Sequence, residues 1–361
     1  MMPLTITPPL LNSANPWCTT LEQLQELYDS PYTGAVTTRT SLVYGFAHDP
    51  SIHQFAFYDP TTHFASVPNK DLAGDASTTG SLNTLGYSPK PLSEYLSFIK
   101  TISDGLLLPQ DTRHKPFIIS VTGSVEDVVE CYNLIAAHQK QVRMALAMEI
   151  NLSCPNIPGK PPPAYSSASL LLYLAALKKE IARQSQLSEI SQSLGGHIHV
   201  PIGIKTPPYT YHDQFQALID ALLASANVEP SHQPCPISFI TATNTLGSSL
   251  LLAPTTEKTS SGEEHSVFHH VLESASGTGI GGLAGAPLHP LALGNVYTIK
   301  GMLFQHRALE RIQIIGVGGV EDLEGYNRMR AVGAVAVGVG TALGRKGIQV
   351  FADIGKAMQK Q

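Results

Sequence analysis

Short apolar runs rich in Val, Ile and Ala alternate with longer segments of helical period along nearly the whole chain. Strands that are covered on both faces, as in a parallel sheet, appear in a sequence as such nearly continuous apolar runs. The pattern predicts eight strands, at Pro9–Asn12, Gly34–Thr38, Phe117–Val121, Met144–Asn151, Ile202–Thr206, Ile237–Asn244, Ile312–Gly316 and Val335–Gly340.

The segments between these strands carry apolar residues at helical spacing. In the first, Leu21, Leu24 and Leu27 fall on one face, as in an amphipathic helix. The spacing predicts eight helices, at Thr20–Tyr28, Pro91–Ile102, Val125–His138, Ser167–Arg183, His212–Ala226, Pro290–Phe304, Glu321–Ala331 and Gly347–Met358.

Eight strands alternating with eight helices indicate an α/β fold of the (β/α)8 TIM barrel type, as one domain over residues 1–361. A doubly wound open sheet is the alternative, but it places its glycine-rich loop after the first strand. In this chain the glycines cluster near the C-terminal end, which favours the barrel.

Three segments exceed ordinary loop length. Residues 45–80 contain two alternating runs joined by a turn, which predicts a hairpin inserted at the C-terminal mouth of the barrel. Residues 251–277 are polar and follow a strand, so we expect a long loop at the same mouth. Residues 184–200 follow a helix, and we therefore expect them at the opposite face, without a catalytic role.

Composition excludes several classes of function. The net charge of −5 disfavours a nucleic-acid binder, which needs a basic surface. No apolar stretch is long enough for a membrane span, and the N-terminus lacks signal-peptide features, so we expect a cytoplasmic protein. The cysteines form no CxxC pair, and we expect no metal. The histidines, among them His269, His270 and His289, fit surface or loop positions better than metal ligands.

The fourth predicted strand runs directly into a polar segment that contains Asn151, Ser153, Cys154 and Asn156. In a barrel this segment lies at the catalytic face, because active sites are built from the loops after the strands. Asparagine both donates and accepts hydrogen bonds, which suits a planar ligand with carbonyl and N–H groups. The prolines between positions 155 and 163 favour an extended lid that carries the thiol. The alternative is a proline-stiffened turn with an incidental cysteine.

Two further strand ends carry polar groups. Lys205 ends the fifth strand, and a lysine in an apolar strand is costly without a partner. It is either part of a structural ion pair or a cation beside an anionic cofactor. The sixth strand ends in Thr243, Asn244 and Thr245, which adds amide and hydroxyl groups to the same rim.

The last two strands end in glycine turns, with Gly318 and Gly319 in the first and Gly340 before Thr341 in the second. Many barrels bind phosphate with the loops after strands seven and eight, where glycines let backbone N–H groups approach the oxygens. The alternative is that these glycines serve only tight turns. Together with Lys205, the asparagines and Cys154, the turns predict a phosphate-bearing cofactor and redox chemistry on a flat, polar heterocycle.

These motifs together resemble the dihydroorotate dehydrogenases, most closely the class 1A type. The most specific is the run NLSCPNIPGKP, because class 1 enzymes carry Cys where membrane-bound class 2 enzymes carry Ser. Supporting stretches lie at Gly80–Gly86, Gly203–Tyr209, Asn244–Gly247, Gly279–Gly282, Ile314–Gly319 and Gly340–Leu343.

The resemblance implies an FMN enzyme that oxidises (S)-dihydroorotate to orotate in pyrimidine biosynthesis, with fumarate as the electron acceptor and a homodimeric assembly. Cys154 matches the family's base, and Lys205 matches the lysine that lies along the flavin. The positions that match the family's substrate site are Asn83, Leu85, Gly86, Asn151, Asn156, Asn244 and Thr245. Those that match its cofactor site are Ala14, Arg39, Thr40, Asn151, Lys205, Gly281, Gly282, Gly318, Gly319, Gly340 and Thr341.

The chain departs from the family pattern at two positions near the flavin. Arg39 stands where the family has lysine, and Asn15 where it has glycine. Arginine is planar and broader than lysine, so the exchange is not neutral at a tight site. These departures leave two alternatives: an FMN barrel oxidoreductase that acts on a different pyrimidine or an enone, and a non-catalytic barrel that kept phosphate binding.

Overall fold

The structure, a computed structural model, describes residues 4–70, 76–106, 114–153, 162–190, 200–231, 233–258 and 264–360. Its strands are β1 (Leu10–Asn12), β2 (Val36–Thr37), β3 (Phe55–Tyr58), β4 (Gly80–Asn83), β5 (Phe117–Val121), β6 (Leu146–Asn151), β7 (Ile202–Thr206), β8 (Ile237–Ala242), β9 (Leu246–Ser249), β10 (Leu252–Lys258), β11 (Glu264–His270), β12 (Gly281–Gly285), β13 (Gln313–Val317) and β14 (Ala336–Val339).

Eight of these strands form one parallel sheet in the order β1-β14-β13-β8-β7-β6-β5-β2. A parallel bridge between Leu11 and Ala35 joins the two ends of this sheet and closes it. The eight strands are those that the apolar runs predict, in the neighbour order of a barrel. The predicted (β/α)8 barrel is therefore confirmed.

The helices surround the barrel in the expected alternation. They are α1 (Leu21–Asp29), α2 (Leu92–Asp104), α3 (Val125–Gln139), α4 (Ser167–Ile190), α5 (His212–Asn227), α6 (His289–Phe304), α7 (Leu323–Ala331), α8 (Thr341–Lys346) and α9 (Gln349–Met358). Helix α8 was not predicted, because six residues are too few to show a helical period. Helix α4 continues to Ile190, so the first part of the segment expected as a loop at 184–200 is helical. Residues 191–199 lie outside the described ranges.

The interior of the barrel is filled at its amino-terminal end by apolar side chains, among them Leu11, Ile118, Phe239 and Ile315. Gly203 makes room for the ring of Phe239, because a Cβ at position 203 would lie 2.1 Å from Cε2 of this ring. This packing closes the bottom of the barrel, so among the described residues the open side of the barrel is at the carboxyl ends of the strands.

A second, four-stranded sheet in the order β3-β4-β12-β9 stands at the mouth. The two runs predicted as a hairpin in residues 45–80 meet at one antiparallel bridge, between Tyr58 and Ala65. The principal partner of β3 is instead β4, whose four residues pair with all of β3. Proximity in sequence indicated a local hairpin, but β4 offers the longer run of backbone partners.

We expected the segment 251–277 to be a long loop, but most of it forms strands. β10 and β11 are an antiparallel pair, from Leu252 opposite His270 to Lys258 opposite Glu264. Both strands are largely exposed, so the segment lacks the apolar alternation that would have marked it as strands. No helix in the described part of the chain combines the length and apolar character needed to cross a bilayer.

Candidate active site

A cavity of about 1050 Å³, a volume that includes open solvent at its mouth, lies at the carboxyl ends of the barrel strands. Most residues that the sequence assigned to a site line it together: Ala14, Arg39, Thr40, Asn83, Leu85, Gly86, Asn151, Lys205, Asn244, Thr245, Gly318, Gly319, Gly340 and Thr341. Cys154 and Asn156 lie outside the described residues. The predicted strand ends thus meet around one cavity, as parallel strands in a barrel require.

A chain of polar side chains begins beneath the cavity at Glu149, which is only 2% exposed. A carboxylate only accepts hydrogen bonds, so the hydroxyls of Ser120 and Thr241 donate to its two oxygens, at 2.9 and 2.6 Å. With its proton committed, Ser120 Oγ accepts from Thr40 Oγ1, 2.9 Å away. Thr40 in turn accepts from Nδ2 of Asn151, at 3.0 Å. Glu149 therefore sets which way the amide of Asn151 faces.

The other end of the Asn151 amide connects β6 to the loop that follows β8. Asn244 Nδ2 donates to Asn151 Oδ1 at 3.1 Å and to Ser153 Oγ at 2.9 Å. Asn244 Oδ1 accepts from the backbone N–H of Thr245 at 2.8 Å, which fixes the second amide as well. From the mouth sheet, Asn83 Nδ2 donates to the carbonyl of Gly282 at 3.1 Å. The three asparagines therefore hold fixed orientations at the cavity wall.

Lys205 brings a positive charge into the cavity. Its side chain is buried, and its Nζ donates a long hydrogen bond of 3.5 Å to the carbonyl of Ala14. Among the described residues, no carboxylate lies within ion-pair distance of Nζ, which disfavours the alternative of a structural ion pair. A buried cation without an anionic partner favours a bound anion. Arg39 adds a second cation, and its guanidinium donates to the carbonyl of Tyr87 at 3.2 Å. Burial lowers the pKa of Arg39.

The glycine turn after β13 requires glycine at both positions. Gly318 and Gly319 have φ angles of 139° and 68°, in the region that other residues rarely adopt. A Cβ at Gly318 would lie 2.5 Å from Cβ of Ala292. Within the described ranges, the N–H groups of Gly318, Gly319 and Gly340 have no acceptor. The turns therefore hold backbone donors at the cavity, which suits a phosphate.

Gly281 and Gly282 do not line the cavity; Ala284 and Gly285 form its wall from this strand. Both glycines are instead required by close packing at the mouth. A Cβ at Gly281 would lie 2.3 Å from the carbonyl oxygen of Asn83, and one at Gly282 would lie 2.1 Å from Oγ1 of Thr245. Their role is to let β12 approach β4 and the loop after β8.

The structure adds aromatic residues to the site that the sequence did not single out. Trp17 and Phe55 line the cavity, with their ring centroids 5.4 Å apart, and Trp17 also stacks on Phe57 at 5.6 Å. Phe55 and Phe57 belong to the segment expected at the mouth. The alternation of apolar and other residues in this segment was the sequence signal that could have pointed to them. Asn15, which replaces the family's glycine, has φ −158°, an extended conformation open to any residue, and its Oδ1 accepts from the N–H of Trp17 at 2.8 Å.

The three cysteines in the described part of the chain are buried. Burial raises the pKa of Cys18 and of Cys131 to about 12, and it also raises the pKa of Cys235. Cys18 lies close to the cavity, but its Sγ donates a hydrogen bond to the backbone oxygen of Asn15, 3.0 Å away. These thiols stay protonated at neutral pH, so none of them is suited to act as a base.

A further sequence-based expectation, on the position of a histidine, is wrong. His289, expected at the surface or in a loop, is only 8% exposed and begins helix α6 directly behind the glycine turn. Its Nδ1 lies 2.7 Å from the carbonyl oxygen of Gly318. Although its neighbours Leu288 and Leu291 are apolar, the sequence could not show this contact, because the turn that covers His289 comes from a different strand.

Comparison with known proteins places the chain in a family. A family model described as dihydroorotate dehydrogenase matches residues 75–361. A relative named dihydroorotate dehydrogenase (fumarate), from Trypanosoma brucei brucei, is 28% identical over 353 residues, covering 98% of this chain and 89% of the relative. A probable dihydroorotate dehydrogenase A (fumarate) of Streptococcus pneumoniae serotype 4 is 27% identical over 347 residues, covering 95% and 85%.

A solved structure shares the fold. A ligand-free DHODH from Eimeria tenella superposes with a TM-score of 0.67 at 17% identity, covering 99% of this chain and 85% of the other. The likeness extends over the whole barrel and its mouth segments. The family match spans most of the chain, and the chain therefore belongs to the dihydroorotate dehydrogenase family of oxidoreductases.

Proposed function

We propose that this protein oxidises dihydroorotate to orotate, with FMN bound in the cavity at the barrel mouth. One observation carries the proposal: the fixed amides of Asn151 and Asn244, the cation of Lys205, which has no carboxylate partner among the described residues, and the turn at Gly318–Gly319 all line the same cavity. The family membership and the names of the relatives support the same reaction.

The residues present fit FMN. The backbone N–H groups of Gly318, Gly319 and Gly340, which have no acceptor within the described ranges, would hold the phosphate together with Thr341. Lys205 would lie beside the ring system and stabilise negative charge there. When bound, the flavin supplies the hydride acceptor for the reaction.

The amide set fits a pyrimidine substrate. Dihydroorotate carries a carboxylate and a ring with alternating carbonyl and N–H groups, which need both donors and acceptors. Asn151 has a second N–H besides the one that Thr40 accepts, and Asn244 Oδ1 has a second lone pair, so these two amides offer a donor and an acceptor. Asn83 adds a third amide to the cavity wall and Thr245 adds a hydroxyl. Because the amides are already oriented by protein partners, binding needs little reorganisation of the site.

We assign the role of general base to Cys154, which takes the proton from C5 of the substrate. It lies outside the described residues and directly follows Ser153, whose hydroxyl accepts from Asn244. Cys18, the nearby described thiol, is excluded by its raised pKa. An ordinary thiol has a pKa of about 8.5, so the rate should rise with pH above neutrality as the thiolate forms.

Two finer features belong to this proposal. Fumarate is the acceptor that reoxidises the enzyme, in line with the names of the relatives. The protein acts as a homodimer, as the resemblance implies, and sedimentation of the purified protein tests this feature separately.

Anaerobic spectroscopy tests the proposal. The purified protein should be yellow, lose its flavin absorbance on addition of dihydroorotate, and regain it with fumarate. Flavin that stays oxidised with dihydroorotate for hours would contradict the assignment. If NADH or NADPH bleaches it instead, the protein is a different flavin-dependent oxidoreductase.

A further inference from the structure

We propose that His289, held by Arg328, is a positioning residue that orients the Gly318–Gly319 peptide for the phosphate of the cofactor. The inference rests on the proposed phosphate site and extends it to two side chains behind the turn. Neither His289 nor Arg328 lines the cavity. Both act through the backbone of the turn rather than by touching the ligand.

The contacts determine the tautomer of His289. Arg328, on α7, donates from Nε to Nε2 of His289 at 3.1 Å. A guanidinium has no acceptor, so Nε2 must carry a lone pair and the ring proton must lie on Nδ1. That N–H then donates to the carbonyl of Gly318 at 2.7 Å. Arg328 thereby makes His289 a donor towards the turn.

The direction of this carbonyl also determines the direction of an N–H group. In a planar trans peptide, the carbonyl of one residue and the N–H of the next point to opposite sides. Because His289 holds the Gly318 carbonyl on the side of α6, the N–H of Gly319 points to the other side. Gly319 lines the cavity, so this N–H is presented towards a bound anion.

The turn needs such a support because of its composition. Two consecutive glycines have wide conformational freedom, and a peptide between them can rotate at little steric cost. Gly319 also lies closely between two neighbours, since a Cβ there would meet the carbonyl oxygen of Gly285 and Cβ of His289, both at 2.7 Å. These contacts limit where the turn lies, and the hydrogen bond from His289 determines which way its peptide faces.

The test compares two ligands that differ only in the phosphate. FMN and riboflavin are bound to flavin-depleted protein, and each dissociation constant is measured by fluorescence. His289→Ala should weaken FMN binding about tenfold, the equivalent of about 1.4 kcal/mol, while riboflavin binding changes little. His289→Asn, which keeps a donor near the place of Nδ1, should recover most of the preference for FMN. Arg328→Gln should show a smaller loss than His289→Ala.

His212→Ala is the matched control, because His212 is also the first residue of a helix of the barrel but is exposed. It should leave both constants unchanged. Urea unfolding of each variant detects a general loss of stability, which would weaken the binding of both flavins alike.

Two results would overturn the inference, and they are distinguishable. If the unaltered protein binds FMN no more tightly than riboflavin, the phosphate site itself is wrong, and the role of His289 fails with it. If the unaltered protein prefers FMN and both His289→Ala and Arg328→Gln keep the full preference, the phosphate site stands and the positioning role is refuted.

Discussion

Glu149, which lies two residues before Asn151 on β6, accepts a hydrogen bond of 2.6 Å from the hydroxyl of Thr241 inside the barrel. With Ser120 on the other carboxylate oxygen, the contact starts the chain that ends at the amide of Asn151. The buried carboxylate therefore belongs to the site, although it does not line the cavity.

Glu149→Gln should misdirect this chain. A glutamine amide brings a donor where both neighbours donate, so one hydroxyl must turn and the amide of Asn151 loses its defined orientation. We expect orotate affinity to fall about tenfold, the effect of one lost buried hydrogen bond. Titration with orotate measures it. Glu126→Gln, an exposed carboxylate on α3, is the control, and unchanged affinity in Glu149→Gln would argue against the chain.

Lys205→Met should remove the cation that faces the proposed flavin. The loss of one preorganised electrostatic group in an active site typically costs about 10²–10³-fold in rate, and we expect that decrease in the reduction of the flavin by dihydroorotate. Stopped-flow absorbance measures the rate. Lys205→Arg keeps the charge in a broader group, and its rate of flavin reduction should lie between those of the unaltered protein and Lys205→Met. A normal rate in Lys205→Met would refute the assigned role.

Cys154 should be the reactive thiol of the folded protein. Burial holds the pKa of Cys18 and Cys131 near 12, so these thiols should not react with iodoacetamide between pH 7 and about 9, whereas labelling of Cys154 should increase over this range. Orotate should protect it, as peptide mass spectrometry can show.

Cys154→Ala should lower turnover by about 10²–10⁴-fold, the usual contribution of a positioned base, with flavin and orotate still bound. Cys131→Ala, within helix α3, is the matched control and should keep its activity. If the flavin is lost from Cys154→Ala, this residue has a structural role instead.

Lys178→Met should reduce stability without affecting the site. The fully buried ammonium donates to the carbonyls of Ser225, Ala226 and Val228, at 2.9, 3.0 and 2.7 Å, and so caps the C-terminal end of α5. Methionine fills the space but leaves these carbonyls unpaired, so we expect the free energy of unfolding to fall by about 3 kcal/mol. Urea unfolding measures it. Lys179→Met is the exposed control, and an equal effect in both variants would contradict the capping role.

The sequence by itself determined the barrel and the position of the site. Strands buried on both faces must be apolar throughout, so each appears as a separate run. The carboxyl ends of parallel strands meet at one face, so Asn151, Lys205 and Asn244 could be placed together without coordinates.

Only the tertiary structure decided what the individual glycines and histidines do. Gly318 and Gly282 look alike in the sequence, yet one lines the cavity and the other makes room for Thr245. His289 is buried because a turn from another strand covers it. Local patterns reflect the period of an element and the face it buries. Close packing and hydrogen-bond direction arise between elements that are distant in the chain, and these exist only once the barrel has closed.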